Sequence, residues 1–145
     1  MQEIEFRVPG NPKALKRHRT YTKDRNGKAL RFARQVDKSA GDKADFLAKA
    51  MLHKPEKPFD VALLVTLIFR FPRPKSHFRT GKYADVLKDN APYYHTSTPD
   101  ADNLAKFVCD SLNGIFWKDD KVISYLTVVK KYSPTPEVCI AISKC

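Results

Sequence analysis

Acidic side chains are concentrated in one short stretch of this chain, between residues 98 and 122. Asp100 and Asp102 lie two positions apart, and the pair Asp119 and Asp120 follows later in the same stretch. In an extended segment, residues two apart project from the same side of the backbone, so we expect the first two carboxylates to converge. If the second pair folds back toward them, the cluster would suit a hard divalent cation, which prefers carboxylate oxygens.

An amphipathic helix is predicted directly after the first acidic pair. Its buried face is formed by residues at helical spacing, namely Leu104, Phe107, Val108, Ser111 and Leu112. Asn113 and Gly114 then supply a stop signal. Lys106 is four residues from both Asp102 and Asp110, so it is either a catalytic group or part of a surface ion-pair ladder worth roughly 0.3 kcal/mol per pair. Asp102 could equally be the helix N-cap.

The charge balance of the rest of the chain is strongly basic. The 145 residues contain 27 Lys and Arg against 16 Asp and Glu, a formal net charge of +11. Such a balance favours a polyanionic partner, and nucleic acid is the leading candidate. Bringing several carboxylates together costs repulsion unless a cation relieves it, so the acidic stretch is poorly explained by capping and surface ion pairs alone.

The densest positive run lies near the N-terminus, between residues 13 and 34. It contains nine basic residues and one acid, and Asn26-Gly27 predicts a turn between two short strands. We interpret this basic hairpin as a nucleic-acid contact, because His18 and Tyr21 interleave with the charges; the alternative is a solvated loop. The contact residues that we expect here are Lys13, Lys16, Arg17, Arg19, Arg25 and Lys28.

A second basic and aromatic segment follows Phe71 and runs through Thr98. We call residues 72–98 the flap, and we expect it to contact DNA beside the acidic cluster, with an ordinary surface loop as the alternative. Its expected contact residues are Arg73, Lys75, Arg79 and Lys82. His77 and His95 are given no role, because lone histidines in loops are usually not metal ligands.

The remaining pattern predicts one α+β domain over residues 1–145. Strands are expected at 2–8 and 60–71, the latter central and covered on both faces, and a closing hairpin at 123–132 and 137–142. A scaffold helix is expected from about Gln35 to His53. Its predicted apolar face consists of Val36, Ala40, Ala44, Leu47, Ala48 and Met51. The sheet should be mixed or mostly antiparallel, with two main helices packed on it.

The cysteines and the N-terminus bear on location. Cys109, Cys139 and Cys145 are odd in number and match no zinc spacing, which is typical of reduced thiols. The first ten residues carry charge where a signal peptide needs an apolar core, and no apolar run is long enough to span a bilayer. We therefore expect a cytoplasmic protein that is not associated with a membrane.

Phosphodiester hydrolysis is the chemistry that these residues favour. A Mg²⁺ ion held by the carboxylates would lower the pKa of a bound water and neutralise charge at a scissile phosphate. Lys106 could orient that water or stabilise the charge of the transition state.

The run PDADNLAKFVCDSLNGIFWKDD resembles the signature of the RusA family of Holliday junction resolvases. That pattern is Asp-x-Asp-Asn-Leu-x-Lys, then Asp-x-Leu, then Asp-Asp. The likeness extends more loosely to the N-terminal Pro-Gly and Lys-Arg-His-Arg, to the flap, and to Lys131-Tyr132. Ala101 departs from the pattern, because the family usually has Leu there.

The resemblance implies a Mg²⁺-dependent homodimeric endonuclease that makes paired nicks in four-way DNA junctions. Mn²⁺ is a possible substitute for Mg²⁺. Such enzymes are commonly encoded by phages and prophages. The implied catalytic residues are Asp100, Asp102, Asp120 and Lys106, the metal being held by the three aspartates, with Asp119 as a less certain ligand. Two other readings stay open: a non-catalytic basic nucleic-acid-binding protein, and a metal-dependent nuclease specific for flaps, single strands or duplex.

Overall fold

The computed structural model describes residues 2–16 and 19–145, without the side chains of residues 2, 3 and 19. Its two helices are α1 (Ala40–Ala50) and α2 (Ala101–Leu112). The strands are β1 (Gln2–Pro9), β2 (Arg19–Lys23), β3 (Ala29–Val36), β4 (Leu63–Phe71), β5 (Ile123–Tyr132) and β6 (Glu137–Lys144). No helix within the described ranges is long and apolar enough to cross a bilayer.

Four strands form a mixed sheet in the order β1-β6-β4-β5, and β2 pairs with β3 in a separate antiparallel hairpin. This confirms the predicted α+β class with two main helices. The predicted closing hairpin is wrong, because β5 runs parallel to β4 while β6 pairs antiparallel with β4 and β1. The linker between β5 and β6 passes over the end of β4, where Ser133 N–H donates to the carbonyl of Phe71 at 2.9 Å.

Strand β4 is central, as predicted, since β6 and β5 pair with its two edges. The prediction that both its faces are covered is wrong. Burial alternates along the strand, with Leu63, Val65, Leu67, Phe69 and Phe71 in the core. The intervening side chains are half-buried or exposed, because the core and both helices lie on one face of the sheet only.

Helix α1 is shorter than predicted and buries a different face. Residues 35 and 36 belong to β3, where hairpin pairing to β2 takes them out of the helix. The buried side chains of α1 are Phe46 and Ala50, whereas Ala44 and Ala48 are exposed. Phe46 contacts Phe107 of α2 edge to face, with ring centroids 5.6 Å apart. The large aromatic ring decides the orientation, because it buries far more apolar area than the alanines of the predicted face.

Helix α2 has the predicted buried face, which Ala105 and Cys109 extend. It ends at Leu112, and Gly114 follows with φ of +80°, a conformation that suits glycine. The turn continues with Gly114 N–H donating to the carbonyl of Trp117 at 2.8 Å. This turn brings the chain back toward the sheet at the start of β5.

A largely buried ion pair lies on the open face of the sheet. The Glu137 side chain is almost fully buried, and its Oε1 lies 2.6 Å from Arg70 Nη1 and 3.5 Å from Arg7 Nη1. We expect Arg70→Met to lower the free energy of unfolding by about 3 kcal/mol, because it leaves the Glu137 carboxylate poorly paired. Urea denaturation measures this.

The matched control for this prediction is the double variant Arg70→Met/Glu137→Met. An apolar pair of similar size removes the uncompensated charge, so the double variant should recover most of the lost stability. Equal or greater destabilisation in the double variant would show that the ion pair is not the source of the effect.

Candidate active site

Side chains from α2 and from the start of β5 line one cavity of about 340 Å³. Two of the predicted acids, Asp102 and Asp120, meet there although they are 18 residues apart in sequence. The other lining residues are Ala105, Lys106, Cys109, Ile123 and Leu126. The second acidic pair thus folds back toward the first, as the sequence predicts, and α2 lies along the N-terminal half of β5.

Asp100 and Asp102 do not lie in one extended segment, contrary to our expectation. Helix α2 begins at Ala101, so Asp102 is in its first turn, and Asp100 is the extended residue before it, with φ of −70° and ψ of 151°. Asp100 does not line the cavity. Its side chain makes no capping hydrogen bond, while its backbone carbonyl accepts from Leu104 N–H at 3.1 Å. The N-cap reading of Asp102 is therefore wrong, and both carboxylates stand at the positive end of the helix dipole.

Lys106 stands beside the acids without neutralising them. The ammonium makes no ion pair with Asp102 or Asp110 in the part of the chain that the structure describes. The surface ion-pair ladder considered from sequence is therefore not formed. An exposed ammonium at the cavity wall can instead contact a phosphate or a water molecule.

Asp120 is held by a residue that sequence reasoning did not assign to the site. The indole Nε1 of Trp117, a fully buried side chain, donates to Asp120 Oδ1 at 2.8 Å. Backbone hydrogen bonds fix the Trp117 segment to Phe59, whose N–H donates to Phe116 O at 3.0 Å and whose carbonyl accepts from Lys118 N–H at 2.9 Å. The spacing of three residues between an indole and an acid was the only signal in the sequence, and it is weak.

The two members of the second acidic pair have different surroundings. Asp119 caps the short 3₁₀ helix Asp120–Val122 by accepting from Lys121 N–H at 3.0 Å, whereas Asp120 faces the cavity. Burial raises the pKa of Asp120, the hydrogen bond from Trp117 lowers it, and the negative charges of Asp110 and Asp119 raise it. Asp110, assigned to the helix surface from sequence, therefore contributes to the electrostatics of the site.

The donor set around this cavity fits Mg²⁺. Within residues 2–16 and 19–145, no three His, Cys, Asp or Glu side chains are grouped closely enough to form a complete protein cage for a metal ion. Mg²⁺ does not need one, because it usually keeps several waters and takes one or two carboxylates together with phosphate oxygens of the substrate. Asp102 and Asp120 would supply those carboxylates.

Cys109 also lines this cavity, on the buried face of α2. Burial raises the pKa of its thiol to about 12, and the charges of Asp120 and Asp110 contribute. The thiolate is the form that reacts with alkylating agents, and at pH 8 only roughly one Cys109 side chain in ten thousand is a thiolate. Cys145, in contrast, is exposed.

We therefore expect iodoacetamide at pH 8 to alkylate Cys145 in the native protein and to leave Cys109 unmodified. Peptide mass spectrometry after a short exposure measures the modified fraction at each cysteine. Labelling in 6 M guanidinium chloride is the control, and it should modify all three thiols. Rapid native alkylation of Cys109 would contradict the described packing of α2 against β5.

The basic hairpin forms as predicted. Its turn is closed by Asp24, whose Oδ1 accepts from the backbone N–H groups of Asn26 at 2.9 Å and Lys28 at 2.8 Å. Arg25 and Lys28 are exposed at this turn. Lys13 is exposed, and Lys16 pairs with Asp42 of α1 at 3.6 Å. The prediction for Arg17 lies outside the described residues, and so does the side chain of Arg19.

The flap is an ordered loop, built on two short 3₁₀ helices, Lys75–His77 and Gly81–Tyr83. The Arg73 guanidinium lies 5.1 Å from the centroid of the Tyr132 ring, and its Nη1 donates to Pro92 O at 2.6 Å. Arg79 pairs with Asp89 at 3.3 Å. Lys75 and Lys82 are exposed.

The two flap histidines pack against aromatic rings. His95 stacks on Phe71 with centroids 3.9 Å apart, and His77 contacts Tyr132 edge to face at 4.8 Å. Burial lowers the pKa of His95, and the charge of Lys130 lowers it further. His95 N–H donates to Lys130 O at 3.1 Å, so the segment leading to Asp100 is joined to β5.

The chain belongs to the RusA family, which is a family of endodeoxyribonucleases. The family described as "Endodeoxyribonuclease RusA" matches residues 9–143, nearly the whole chain. This confirms the resemblance read from the acidic motif. A protein of Bacillus subtilis (strain 168) named "Uncharacterized protein YqaN" is 33% identical over 142 residues, which cover 98% of this chain and 96% of that protein.

Proposed function

We propose that this protein is a Mg²⁺-dependent endodeoxyribonuclease that resolves four-way DNA junctions by paired phosphodiester nicks, with residues 1–145 acting as one endonuclease domain in the cytoplasm. The observation that carries the proposal is the meeting of Asp102 and Asp120 in one cavity, with Lys106 in its wall. Family membership supports the class of reaction, since the family is one of endodeoxyribonucleases.

Each residue has a distinct role in this proposal. Asp102 and Asp120 hold the ion. Asp100 is the N-cap residue of α2, and because its carboxylate makes no capping hydrogen bond, it is available as the third ligand. When bound, Mg²⁺ supplies a water of lowered pKa and neutralises charge on the scissile phosphate. Lys106 orients the attacking water or stabilises the extra negative charge of the transition state. Asp119 is engaged in a helix cap, which favours Asp120 as the ligand.

The surfaces that would bring DNA to this cavity are basic. The hairpin turn presents Arg25 and Lys28, and the flap presents Lys75 and Lys82. Because the chain has a formal net charge of +11, its binding to DNA should consist largely of phosphate neutralisation and counterion release. Affinity should therefore fall steeply with salt.

A two-fold dimer is the expected working form. A four-way junction presents two equivalent strands for cutting, and the cavity lined by Asp102 and Asp120 can serve one of them at a time. A symmetric pair of chains would place one cavity at each strand. Analytical ultracentrifugation with and without a junction tests this point.

The proposed specificity is tested by comparing four labelled substrates: a mobile four-way junction, a flap, a single strand and a linear duplex. We expect Mg²⁺-dependent, symmetric nicks in the junction, at rates at least tenfold above those for the other substrates. Because binding relies on phosphate contacts, raising the salt from 50 to 200 mM should weaken junction affinity by roughly a thousandfold. Preferential cutting of a flap, a single strand or duplex would retain the nuclease and overturn the junction assignment.

A further inference from the structure

We propose that a cleft between the flap and the ends of β4 and β5 binds one unstacked nucleotide of the DNA strand. This inference rests on the proposed function, and it concerns a region apart from the acidic cavity. The flap cleft has a volume of about 540 Å³, within the range of small-ligand sites. Its lining residues are Pro72, Arg73, Phe78, Asp85, Leu87, Tyr93, Tyr132, Ser133 and Pro134.

Aromatic rings supply walls on which a base can stack. Phe78 and Tyr93 come from the flap, and Tyr132 comes from the end of β5. Tyr93 is 56% exposed, so much of its surface is open to a ligand. Stacking on an aromatic side chain accepts any base, because every base has a π face.

Arg73 is held rigidly in the cleft and still has donors to offer. Its Nη1 is anchored on the Pro92 carbonyl, and the guanidinium lies over the Tyr132 ring. A guanidinium has five N–H donors, so several can reach a phosphate or a base edge. Fixing this long side chain before binding reduces the entropy lost when the ligand arrives.

Asp85 gives the cleft a hydrogen-bond acceptor. Its carboxylate has no hydrogen bond or ion pair within the described chain. A carboxylate accepts from amino groups on a base edge, as Asp and Glu do from cytosine N4. It disfavours thymine, whose only ring N–H lies between two carbonyl oxygens. The cleft should therefore prefer a cytosine to a thymine.

The charge around the cleft favours nucleic acid as its occupant. Lys131 Nζ lies 3.2 Å from the Tyr93 hydroxyl, and Lys75 is exposed on the neighbouring 3₁₀ helix. An apolar peptide or a second copy of this basic chain would meet repulsion or gain nothing from these cations. A DNA strand would gain a phosphate contact from each.

The position of the cleft suits a strand that also reaches the acids. Leu126 of β5 lines the acidic cavity, and Tyr132, six residues further along the same strand, lines the cleft. At about 3.3 Å per residue this is a separation of about 20 Å. With a rise of 3.4 Å per nucleotide, the captured nucleotide lies about six nucleotides from the cut.

Photocrosslinking tests the cleft without requiring cleavage. A four-way junction carries 5-iodocytosine at successive positions up to ten nucleotides from the branch point, and the complex is irradiated in EDTA. We expect crosslinks to Tyr93, Tyr132 or Phe78 from one position about six nucleotides from the cut, identified by peptide mass spectrometry. Tyr93→Leu should lose most of this crosslink and bind the junction about tenfold more weakly.

Tyr125→Leu is the matched control. Tyr125 is 64% exposed and lines neither the cleft nor the acidic cavity, so its replacement should change junction affinity less than twofold. Replacing C by T at the captured position should weaken wild-type binding, and Asp85→Asn should reduce that preference. Thermal melting should show both tyrosine variants folded, since neither ring is buried.

Three outcomes would overturn the inference. Crosslinks confined to peptides outside the cleft, with unaltered affinity in Tyr93→Leu, would refute the cleft and leave the proposed function intact. Dimerisation lost in Tyr93→Leu with crosslinks elsewhere would assign the cleft to a second copy of the chain. Absence of junction binding by the wild-type protein would overturn the cleft and the proposed function together.

Discussion

Asp102→Asn and Asp120→Asn are each expected to lower the rate of junction cleavage in Mg²⁺ by roughly a thousandfold while junction binding in EDTA persists. The two carboxylates line the same cavity and are the acids best placed to hold an ion. An ion that activates water and neutralises phosphate charge is worth several kcal/mol in the transition state. The Asn amide keeps the shape of Asp and removes the charge that attracts the cation.

Asp119→Asn and Asp110→Asn are the matched controls for this prediction. Asp119→Asn removes one negative charge beside Asp120, and Asp110→Asn removes one at the other end of α2 from Asp102. Neither side chain lines the cavity. We expect both to cut junctions within about tenfold of the wild-type rate. Direct Mn²⁺ titration by calorimetry gives a second readout, in which Asp102→Asn and Asp120→Asn should bind the ion weakly, while the controls, which act on Asp120 only through their charge, should bind it within about tenfold of the wild-type affinity.

Asp100→Asn separates the two sets of ligands considered for this site. Loss of cleavage comparable to that of Asp102→Asn would support Asp100 as a third ligand. If Asp102→Asn and Asp120→Asn cut at the wild-type rate, the assignment of the cavity as the active site is wrong. If the wild-type protein binds junctions and cuts no DNA in Mg²⁺, the non-catalytic reading is favoured instead.

Trp117 is the site of the second large effect, because it combines packing with a hydrogen bond to Asp120. Trp117→Ala should lower the free energy of unfolding by about 4 kcal/mol, since it empties the space of a fully buried indole. Trp117→Phe keeps most of the ring and removes the donor to Asp120 Oδ1. A hydrogen bond that orients a metal-binding carboxylate contributes roughly ten- to a hundredfold to the affinity for the ion, so Mg²⁺ affinity should fall roughly tenfold or more in Trp117→Phe.

The pH dependence of this effect has a definite sign. The Trp117 hydrogen bond lowers the pKa of Asp120, against burial and the neighbouring acids that raise it. Removing the donor therefore raises this pKa further. Protons then compete with the ion up to a higher pH, so the loss of Mn²⁺ affinity in Trp117→Phe should be larger at pH 6 than at pH 8. Calorimetry at the two pH values measures it.

Phe116→Leu is the control for packing alone. Phe116 is adjacent and also fully buried, yet its side chain donates no hydrogen bond to an acid. The Phe116→Leu variant should have a lower free energy of unfolding in urea denaturation, while its metal affinity should stay near that of the wild type. Equal metal affinity in Trp117→Phe and the wild-type protein would show that the indole acts through packing only.

The sequence by itself determined those features that depend on local periodicity and on residue type. Strand β1 and the buried face of α2 follow from side-chain spacings of 2 and 3.6, which local backbone geometry imposes wherever the chain folds. Asn26-Gly27 predicted the hairpin turn because glycine readily takes a positive φ, and Gly27 has φ of +83°. The order of acids around Asp102 and Asp120 was specific enough to indicate the family, which the match over residues 9–143 confirms.

Only the tertiary structure decided the features that depend on contacts between distant segments. Strands β5 and β6, which are neighbours in sequence, each pair with β4 instead of with each other. Phe46, and not the alanine face, orients α1 because a ring buries more area than methyl groups.

The site shows the same division. Residue types and spacing identified Asp102, Lys106 and Asp120 as candidates, whereas the start of α2 at Ala101 decided that Asp102 enters the cavity and Asp100 stays outside it. The indole of Trp117 reached Asp120 through a turn closed at Gly114, which no spacing rule describes. The sequence thus determined which groups could do chemistry, and packing decided which of them meet, because distances across the core depend on every element that fills it.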